Sequence, residues 1–286
     1  MSPSTILERA GFPADAGRPL LFGMVHLGPL PGSPRDPEDF EATLRAASAD
    51  LDALVGGGAD GAIVENFGDA PFLPDAVPPV TVAAMTVAAA RLRAQAPGAF
   101  LLGVNVLRND AAAALSIAAV TGASCIRVNV HLGAAVTDQG ILRGRADETL
   151  RLRRALGRPV AIFADVDVKH AAPVAARPVE EEALDLVERG LADVLLVTGP
   201  RTGAPVDLER LRAVRTAVPA APIYAASGVT ADSVRDLAPY CDGFIAGTWL
   251  KRDGRVGAPV DPERVRKLAA AVRAIVLPSS RRPAAS

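Results

Sequence analysis

Short apolar segments rich in β-branched residues alternate with segments of helical period eight times along the 286-residue chain. In the first unit, an apolar run over 20–26 leads into a proline- and glycine-rich loop, and apolar residues then recur with helical spacing over 39–55. Short buried strands that alternate with helices form parallel sheets whose outer face is covered by the helices. No change in composition marks a linker between the units, so one domain is expected.

Eight such units in roughly 260 residues match a (β/α)₈ barrel. A doubly wound open sheet is the alternative, and it is disfavoured because no Gly-x-Gly-x-x-Gly follows the first strand. We therefore predict a single-domain TIM barrel over 18–276, with a tail or short helix over 1–17 and a flexible tail over 277–286. The predicted strands cover 20–26, 62–66, 100–106, 125–130, 160–170, 193–197, 223–226 and 243–246. The predicted helices cover 39–55, 80–95, 111–120, 147–156, 179–189, 208–217, 231–237 and 261–275.

The overall charge and the cysteines narrow the classes of function. A formal net charge of −1 gives no sign of a nucleic-acid surface. Cys125 and Cys241 each lie in an apolar run, which is typical of buried thiols in a reducing compartment. No apolar run approaches the ~20 residues of a membrane span, and no signal peptide is visible. We expect a cytoplasmic protein with no integral membrane segment. The sequence is compatible with a homo-oligomer and does not specify the oligomeric state.

Polar side chains follow nearly every predicted strand, whereas the opening residues of the strands are mostly apolar. In a barrel, the carboxyl ends of the strands surround the active site, so these side chains are candidate site residues. Burying so many polar groups at one end without a use is costly, which disfavours a purely structural rim. The strand-end residues are His26, Glu65, Asn66, Asn105, Arg108, Arg127, Asn129, His131, Asp165, Asp167, Lys169, His170, Thr198, Ser227 and Thr248.

The fifth strand carries the densest group of these residues. Because successive side chains of a strand alternate between its faces, Asp165, Asp167 and Lys169 are expected on the same face as Phe163. A structural ion-pair cluster at the rim of the sheet is the alternative interpretation. Two carboxylates and an ammonium are also the groups that acid–base or Schiff-base chemistry requires.

The loops after the seventh and eighth predicted strands favour a phosphate site. Ser227-Gly228 and Gly247-Thr248 are small residues whose backbone N–H groups can approach an anion, in the loops where many barrels bind phosphate. Glycines that merely make tight turns are the alternative. Two long loops over 67–79 and 132–146 are candidate lids. The second of them contains Arg143 and Arg145, which offer positive charge over a phosphorylated substrate, with a solvated loop as the alternative.

Metal binding stays open at this stage. Carboxylates and the three histidines are suitable ligands, but no spacing matches a zinc signature. No structural metal is expected, a catalytic divalent metal remains undecided, and no other cofactor is indicated.

Several blocks of the sequence resemble the BtpA/SgcQ family. They are Gly-Met-Val-His-Leu-x-Pro-Leu-Pro-Gly-Ser-Pro at 23–34, Asp-Gly-x-Ile-Val-Glu-Asn-Phe-Gly-Asp-Ala-Pro-Phe at 60–72, Gly-Val-Asn-Val-Leu-Arg-Asn-Asp at 103–110, Ile-Arg-Val-Asn-Val-His at 126–131, Thr-Asp-Gln-Gly at 137–140 and Val-Lys-His-Ala at 168–171. The resemblance covers about residues 18–276. It implies a ribulose-phosphate-binding barrel. One member of the family is named for photosystem I biogenesis, and another lies in a sugar-metabolism cluster as a candidate nucleosidase.

The leading hypothesis is an enzyme acting on a small phosphorylated sugar or nucleoside-like ligand, either a nucleosidase-type hydrolase or a phosphosugar lyase or aldolase. A non-enzymatic assembly or biogenesis factor is the alternative. The candidate catalytic residues are Glu65, Asp165, Asp167, Lys169, His131 and His170. The candidate substrate-binding residues are His26, Asn66, Asn105, Arg108, Arg127, Asn129 and Thr198. The candidate phosphate-binding residues are Ser227, Gly228, Gly247 and Thr248.

Overall fold

A computed structural model of the chain describes residues 3–14, 17–166, 171–175, 177–199 and 204–277. Eight parallel strands close into a barrel, which confirms the predicted fold. The strands, in chain order, are β1 Leu20–His26, β2 Gly61–Glu65, β3 Leu101–Asn105, β4 Cys125–Val128, β5 Ala134–Thr137, β6 Gly140–Arg143, β7 Ala161–Asp165, β8 Ala171–Pro173, β9 Val194–Thr198, β10 Ile223–Ala226 and β11 Gly243–Ala246. The order around the barrel is β1, β2, β3, β4, β7, β9, β10 and β11, and β11 pairs with β1.

The first helix precedes the barrel, and the others follow barrel strands and cover the outside of the sheet. They are α1 Pro3–Arg9, α2 Phe40–Gly57, α3 Pro79–Gln95, α4 Ala111–Thr121, α5 Ala146–Leu156, α6 Val179–Glu188, α7 Leu208–Ala217, α8 Val234–Leu237 and α9 Pro262–Arg273. Asp110 and Asp207 cap α4 and α7 by accepting backbone N–H bonds, as predicted. Gly23 in β1 permits close packing of α2, because a Cβ there would lie 2.2 Å from a methyl carbon of Leu54.

Aromatic rings fill the barrel interior at the amino-terminal ends of the strands. Phe163 packs against Phe22 and Tyr224 with centroid separations of 6.1 and 5.4 Å. Phe12, which follows α1, closes the amino-terminal end of the barrel at 5.7 Å from the Phe163 ring. All four side chains are buried. This end of the barrel therefore forms a solid apolar core.

Three aspartates stand immediately before barrel strands at the amino-terminal end, where the sequence analysis found mainly apolar openings. Each accepts a backbone N–H bond from the neighbouring strand and also pairs with an arginine. Asp193, for example, accepts from Ile162 N at 2.7 Å and from Arg153 at 2.5 Å. Asp60 and Asp242 do the same with Arg18 and Arg215. We call these three residues the aspartate clamps.

The predicted loop over 132–146 is wrong in part, because it contains a β-hairpin. β5 and β6 pair antiparallel, and β8 extends them to a three-stranded sheet in the order β6-β5-β8. Ala135 and Leu142 face inward onto Val130, and Gly140 takes the left-handed φ of +98° that the turn requires. The predicted strand over 160–170 also ends earlier, at Asp165. None of the described helices is both long and apolar enough to cross a bilayer.

Candidate functional site

A cavity of about 1200 Å³ opens at the carboxyl ends of the barrel strands. Its volume slightly exceeds the range of about 300–1,000 Å³ that is typical of small-molecule sites. Residues from opposite sides of the barrel line it, so the closed ring brings strand ends that are far apart in sequence to one space. The predicted site residues that line the cavity are His26, Glu65, Arg108, Arg127, Asn129, Ser227, Gly228, Gly247 and Thr248.

Glu65 is held between two partners from neighbouring strands. It ends β2, in register with His26 of β1 and with Asn105 of β3. The Asn105 amide donates to Glu65 Oε2 at 2.5 Å, and His26 Nε2 lies 3.8 Å from Glu65 Oε1. The His26 ring stacks on Phe67 with a centroid separation of 4.6 Å. A carboxylate that is oriented by an amide and lies beside an imidazole is an arrangement suited to general acid–base chemistry.

Asp165 has a different environment. Its carboxylate is fully enclosed and accepts three hydrogen bonds from β4 and the residue that follows it: Arg127 Nε at 3.2 Å, Arg127 Nη2 at 3.0 Å and Asn129 Nδ2 at 2.8 Å. Burial disfavours the charge of Arg127, but the carboxylates of Asp165 and Glu65 outweigh it and leave the pKa of Arg127 above its ordinary value. Asp165 does not itself line the cavity. It holds Arg127 and Asn129, which do.

The loops after β10 and β11 present backbone to the cavity. Ser227 and Gly228 have left-handed φ values of +99° and +59°. A Cβ at Gly228 would lie 2.4 Å from the carbonyl oxygen of Ala204, so only glycine fits there. A Cβ at Gly247 would lie 3.3 Å from Met24 Cγ and 3.6 Å from His26 Cε1. Gly247 therefore lies against the same wall as His26, beside the candidate acid–base pair. We call these two loops the anion loops.

Arg108 and the β5–β6 hairpin lie at the rim. Burial lowers the pKa of Arg108, and the carboxylates of Asp165, Glu65 and Asp138 oppose that shift. Asp138 stands at the hairpin turn and lines the cavity, so the hairpin reaches the opening. Arg145 pairs with Asp75 at 3.4 Å and thereby connects the base of the hairpin to the loop over 67–79.

Residues 18–274 of the chain match the model of the BtpA family. The chain belongs to the BtpA family. A protein of Thermococcus kodakarensis whose name assigns no function is 48% identical over 254 residues, covering 89% of this chain and 95% of that protein. The photosystem I biogenesis protein BtpA of Synechocystis is 44% identical, and the match covers 86% of this chain and 85% of that protein.

Solved structures share the barrel at much lower identity. The OMP decarboxylase of Leishmania donovani superposes with a TM-score of 0.59 at 14% identity, covering 96% of this chain and 98% of that one. The thiamine phosphate pyrophosphorylase of Pyrococcus furiosus gives 0.55 at 16% identity, covering 90% and 96%. At this identity the likeness establishes the fold of the BtpA-family chain, and its function has to be argued from the site.

Besides Asp165, four predicted site residues among those described lie away from the cavity lining of this BtpA-family barrel. Asn66 accepts from Leu107 N at 2.7 Å and donates to Asp69 at 3.0 Å, so it orders the loops beneath the opening. His131 Nε2 hydrogen-bonds to the Gly190 carbonyl at 2.8 Å, and burial lowers its pKa. Asn105 donates to Glu65, and Thr198 ends β9 without lining the cavity. Asp167, Lys169 and His170 lie outside the described residues.

The sequence analysis missed other residues of the cavity wall. Lys251 is buried, lines the cavity and pairs with Asp50 at 2.5 Å. The two residues are 201 positions apart, so no local pattern could connect them. Phe67 and Phe72 add an aromatic wall. Within the described ranges, no group of three or more His, Cys, Asp or Glu side chains is arranged to hold a metal ion.

Proposed function

We propose that this BtpA-family protein is an enzyme acting on a phosphorylated sugar or nucleoside-like compound, with cleavage of a glycosidic C–N bond as the leading reaction. The observation that carries the proposal is the pairing of Glu65 with His26 in a cavity that is also lined by the anion loops. An oriented carboxylate, an imidazole and accessible backbone amides together suit the hydrolysis of a phosphorylated glycoside.

The anion loops would bind the phosphate group. Backbone N–H groups near small residues can approach phosphate oxygens, and barrels commonly bind phosphate after their last two strands. In this chain those loops contain Ser227, Gly228, Gly247 and Thr248, all of which line the cavity. Because Gly247 lies beside His26, a phosphate there places the attached sugar near Glu65.

Glu65 and His26 would share the proton transfers. As the C–N bond breaks, His26 gives a proton to the departing nitrogen, and the Glu65 carboxylate stabilises the positive charge at the anomeric carbon. Water then bonds to that carbon, and its proton passes to Glu65. A lyase or aldolase reaction through Lys169 is the alternative chemistry, and that residue lies outside the described part of the chain.

The test is turnover of nucleosides, nucleotides and phosphosugars by the purified protein, with Glu65→Gln as the variant. We expect Glu65→Gln to lower kcat/KM by about 100-fold or more, because a positioned acid–base group contributes at least that much. Glu180→Gln, on the exposed face of α6, is the matched control and should retain full activity. Turnover that Glu65→Gln leaves unchanged contradicts the assigned role.

A second candidate function comes from the Synechocystis relative, whose name refers to photosystem I biogenesis. On that basis the chain is a non-enzymatic assembly factor. Expressing the wild-type chain and the Glu65→Gln variant in a Synechocystis strain that lacks its own BtpA separates the two proposals. Equal recovery of photosystem I by both proteins favours the assembly factor, whereas recovery by the wild type alone favours the enzyme.

A further inference from the structure

Asn129 presents a buried acceptor to the cavity that the protein does not satisfy. Its Nδ2 donates to Asp165 Oδ2 at 2.8 Å, and its Oδ1 has no hydrogen-bond partner among the described residues. The residue is 5% exposed and lines the cavity. Buried polar atoms are nearly always hydrogen-bonded, so a vacant acceptor at the wall of a cavity indicates a donor on a ligand.

Arg127 presents a donor next to it. Its Nε and Nη2 bond to Asp165, and within the described ranges no partner accepts from its Nη1. Arg127 Nη2 and Asn129 Nδ2 donate to the same oxygen, Asp165 Oδ2, at 3.0 and 2.8 Å. That shared acceptor places the Arg127 guanidinium and the Asn129 amide group beside each other on one wall of the cavity.

We propose that Arg127 and Asn129 bind a neutral group that offers a hydrogen-bond donor beside an acceptor. This inference rests on the proposed function and specifies the substrate further. A second fully ionised anion does not fit, because the oxygens of a carboxylate or a phosphate dianion only accept, and they would face the Asn129 oxygen. The charge of Arg127 is also already neutralised by Asp165 in a two-bond pair.

The position of β4 in the ring says where this group lies in the substrate. β4 is four strands away from β11 in either direction around the barrel, so Asn129 and Gly247 are on opposite walls. β2 is midway between them on one side, and it ends in Glu65. A ligand with its phosphate on the anion loops and its donor–acceptor group on Arg127 and Asn129 therefore spans the candidate acid–base pair.

Two parts of a nucleotide-like substrate have this chemistry. Adjacent sugar hydroxyls supply one donor and one acceptor, and so does the N–H and C=O edge of a cyclic amide in a base. Both are neutral, and both suit the Arg127 and Asn129 pair. The probes have to distinguish them.

The experiment measures binding by calorimetry with inorganic phosphate, ribose 5-phosphate and its 2-deoxy and 3-deoxy analogues, and uridine and N3-methyluridine monophosphates. We expect loss of the relevant group to weaken binding by about tenfold to 100-fold, because it leaves a buried polar atom unpaired. Discrimination against a deoxy sugar identifies the hydroxyls, and discrimination against the N3-methyl base identifies the amide edge. Either result supports the inference.

The Asn129→Leu variant should remove that discrimination and leave the affinity for inorganic phosphate unchanged. Asn109→Leu is the matched control, because Asn109 bonds to the backbone of Val130 at the same strand end without lining the cavity. The ratios of ligand affinities for the wild-type protein are measured without any variant. They still test the inference if Asn129→Leu does not fold.

The outcomes separate this inference from the proposed function. Binding of phosphate with less than twofold discrimination in every pair overturns the role of Arg127 and Asn129 but leaves the anion loops supported. Equal weakening of all ligands by Asn129→Leu overturns it as well. Failure of every probe to bind, inorganic phosphate included, contradicts the proposed function and the inference together.

Discussion

Two carboxylates at the carboxyl end of the barrel differ in what surrounds them, and that difference is the basis of the roles we propose for them. Glu65 lines the cavity beside His26, whereas Asp165 is enclosed by donors from Arg127 and Asn129. A carboxylate whose oxygens accept hydrogen bonds from a buried arginine and an amide holds those neighbours in place. Strand alternation predicts that Asp165 and Arg127 both face inward. It does not predict that they meet, because that depends on the pairing of β4 with β7 across an inserted hairpin.

Replacing Asp165 should therefore cost more stability than replacing Glu65. Asp165→Asn leaves the buried Arg127 without its counter-ion, and we expect the free energy of unfolding to fall by about 3 kcal/mol. Urea denaturation followed by circular dichroism measures this. Glu65→Gln is the matched variant, with a smaller loss of stability and a larger loss of turnover. The reverse order would show that Asp165, not Glu65, performs the chemistry.

His131 predicts a pH dependence of stability. Burial lowers its pKa, although the Gly190 carbonyl opposes this, so the folded state holds a neutral ring. The pKa of histidine in the unfolded chain is about 6.5. As the pH falls through that value, the unfolded state therefore binds more protons than the folded state. We therefore expect the free energy of unfolding to fall as the pH is lowered from 7.5 to 5.5, because of this residue. His131→Gln, which keeps a donor for Gly190, should show a weaker dependence in parallel urea titrations. An identical dependence in both proteins would rule out His131 as its source.

At the scale of secondary-structure elements, the two ends of the barrel strands differ in the groups that surround them. The carboxyl ends line the cavity, whereas the aspartate clamps join neighbouring strands at the amino ends. Each clamp ties one strand to the next through a backbone N–H group and an arginine. In barrels the amino-terminal face contributes to stability and the opposite face to chemistry. The aspartate clamps fit the first part of that rule, and the proposed function depends on the second.

The aspartate clamp at Asp193 should stabilise the folded protein far more than a surface ion pair does. Asp193→Ala removes the acceptor for Arg153 and for the Ile162 N–H group, and we expect a loss of about 3 kcal/mol. Asp185→Ala removes one of the two carboxylates that pair with the exposed Arg177, the other being Glu181, and should cost less than about 1 kcal/mol. Chemical denaturation at neutral pH compares them. Similar losses in both variants would show that the clamp adds nothing beyond a surface pair.

The β5–β6 hairpin shows where reasoning from the sequence stops at the level of elements. Its strands have four residues each, too few for a hydrophobic period to stand out from a polar loop. The exposed neighbours of Ala135 and Leu142 are the apolar Val136 and Ile141, so burial does not follow polarity here, and Gly140 at the turn was the available signal. The longer units were predictable, because a repeated alternation of strands and helices admits few topologies.

At the scale of the whole molecule, the sequence predicts which residues gather at the cavity better than which of them touch. Barrel closure alone brings His26, Glu65 and Asn129 to one space, so their convergence follows from the fold. The pairing of Lys251 with Asp50 depends on how the loop after β11 packs on α2, which no local pattern specifies. Prediction therefore succeeds where topology decides and fails where side-chain packing decides.

The apolar core at the amino end and the cavity at the carboxyl end should respond independently to mutation. Phe12→Ala removes the ring that closes the barrel floor against Phe22 and Phe163, and we expect a loss of about 3 kcal/mol or more. Val120→Ala, at a side chain that is 73% exposed, is the matched control and should change stability by less than about 0.5 kcal/mol. Binding of inorganic phosphate to folded Phe12→Ala should equal that of the wild type, because the substitution lies at the opposite end of the strands from the anion loops. A weaker phosphate affinity in a variant that is still folded would show that the barrel transmits strain along its length, and the separation of a stabilising end from a functional end would then be wrong.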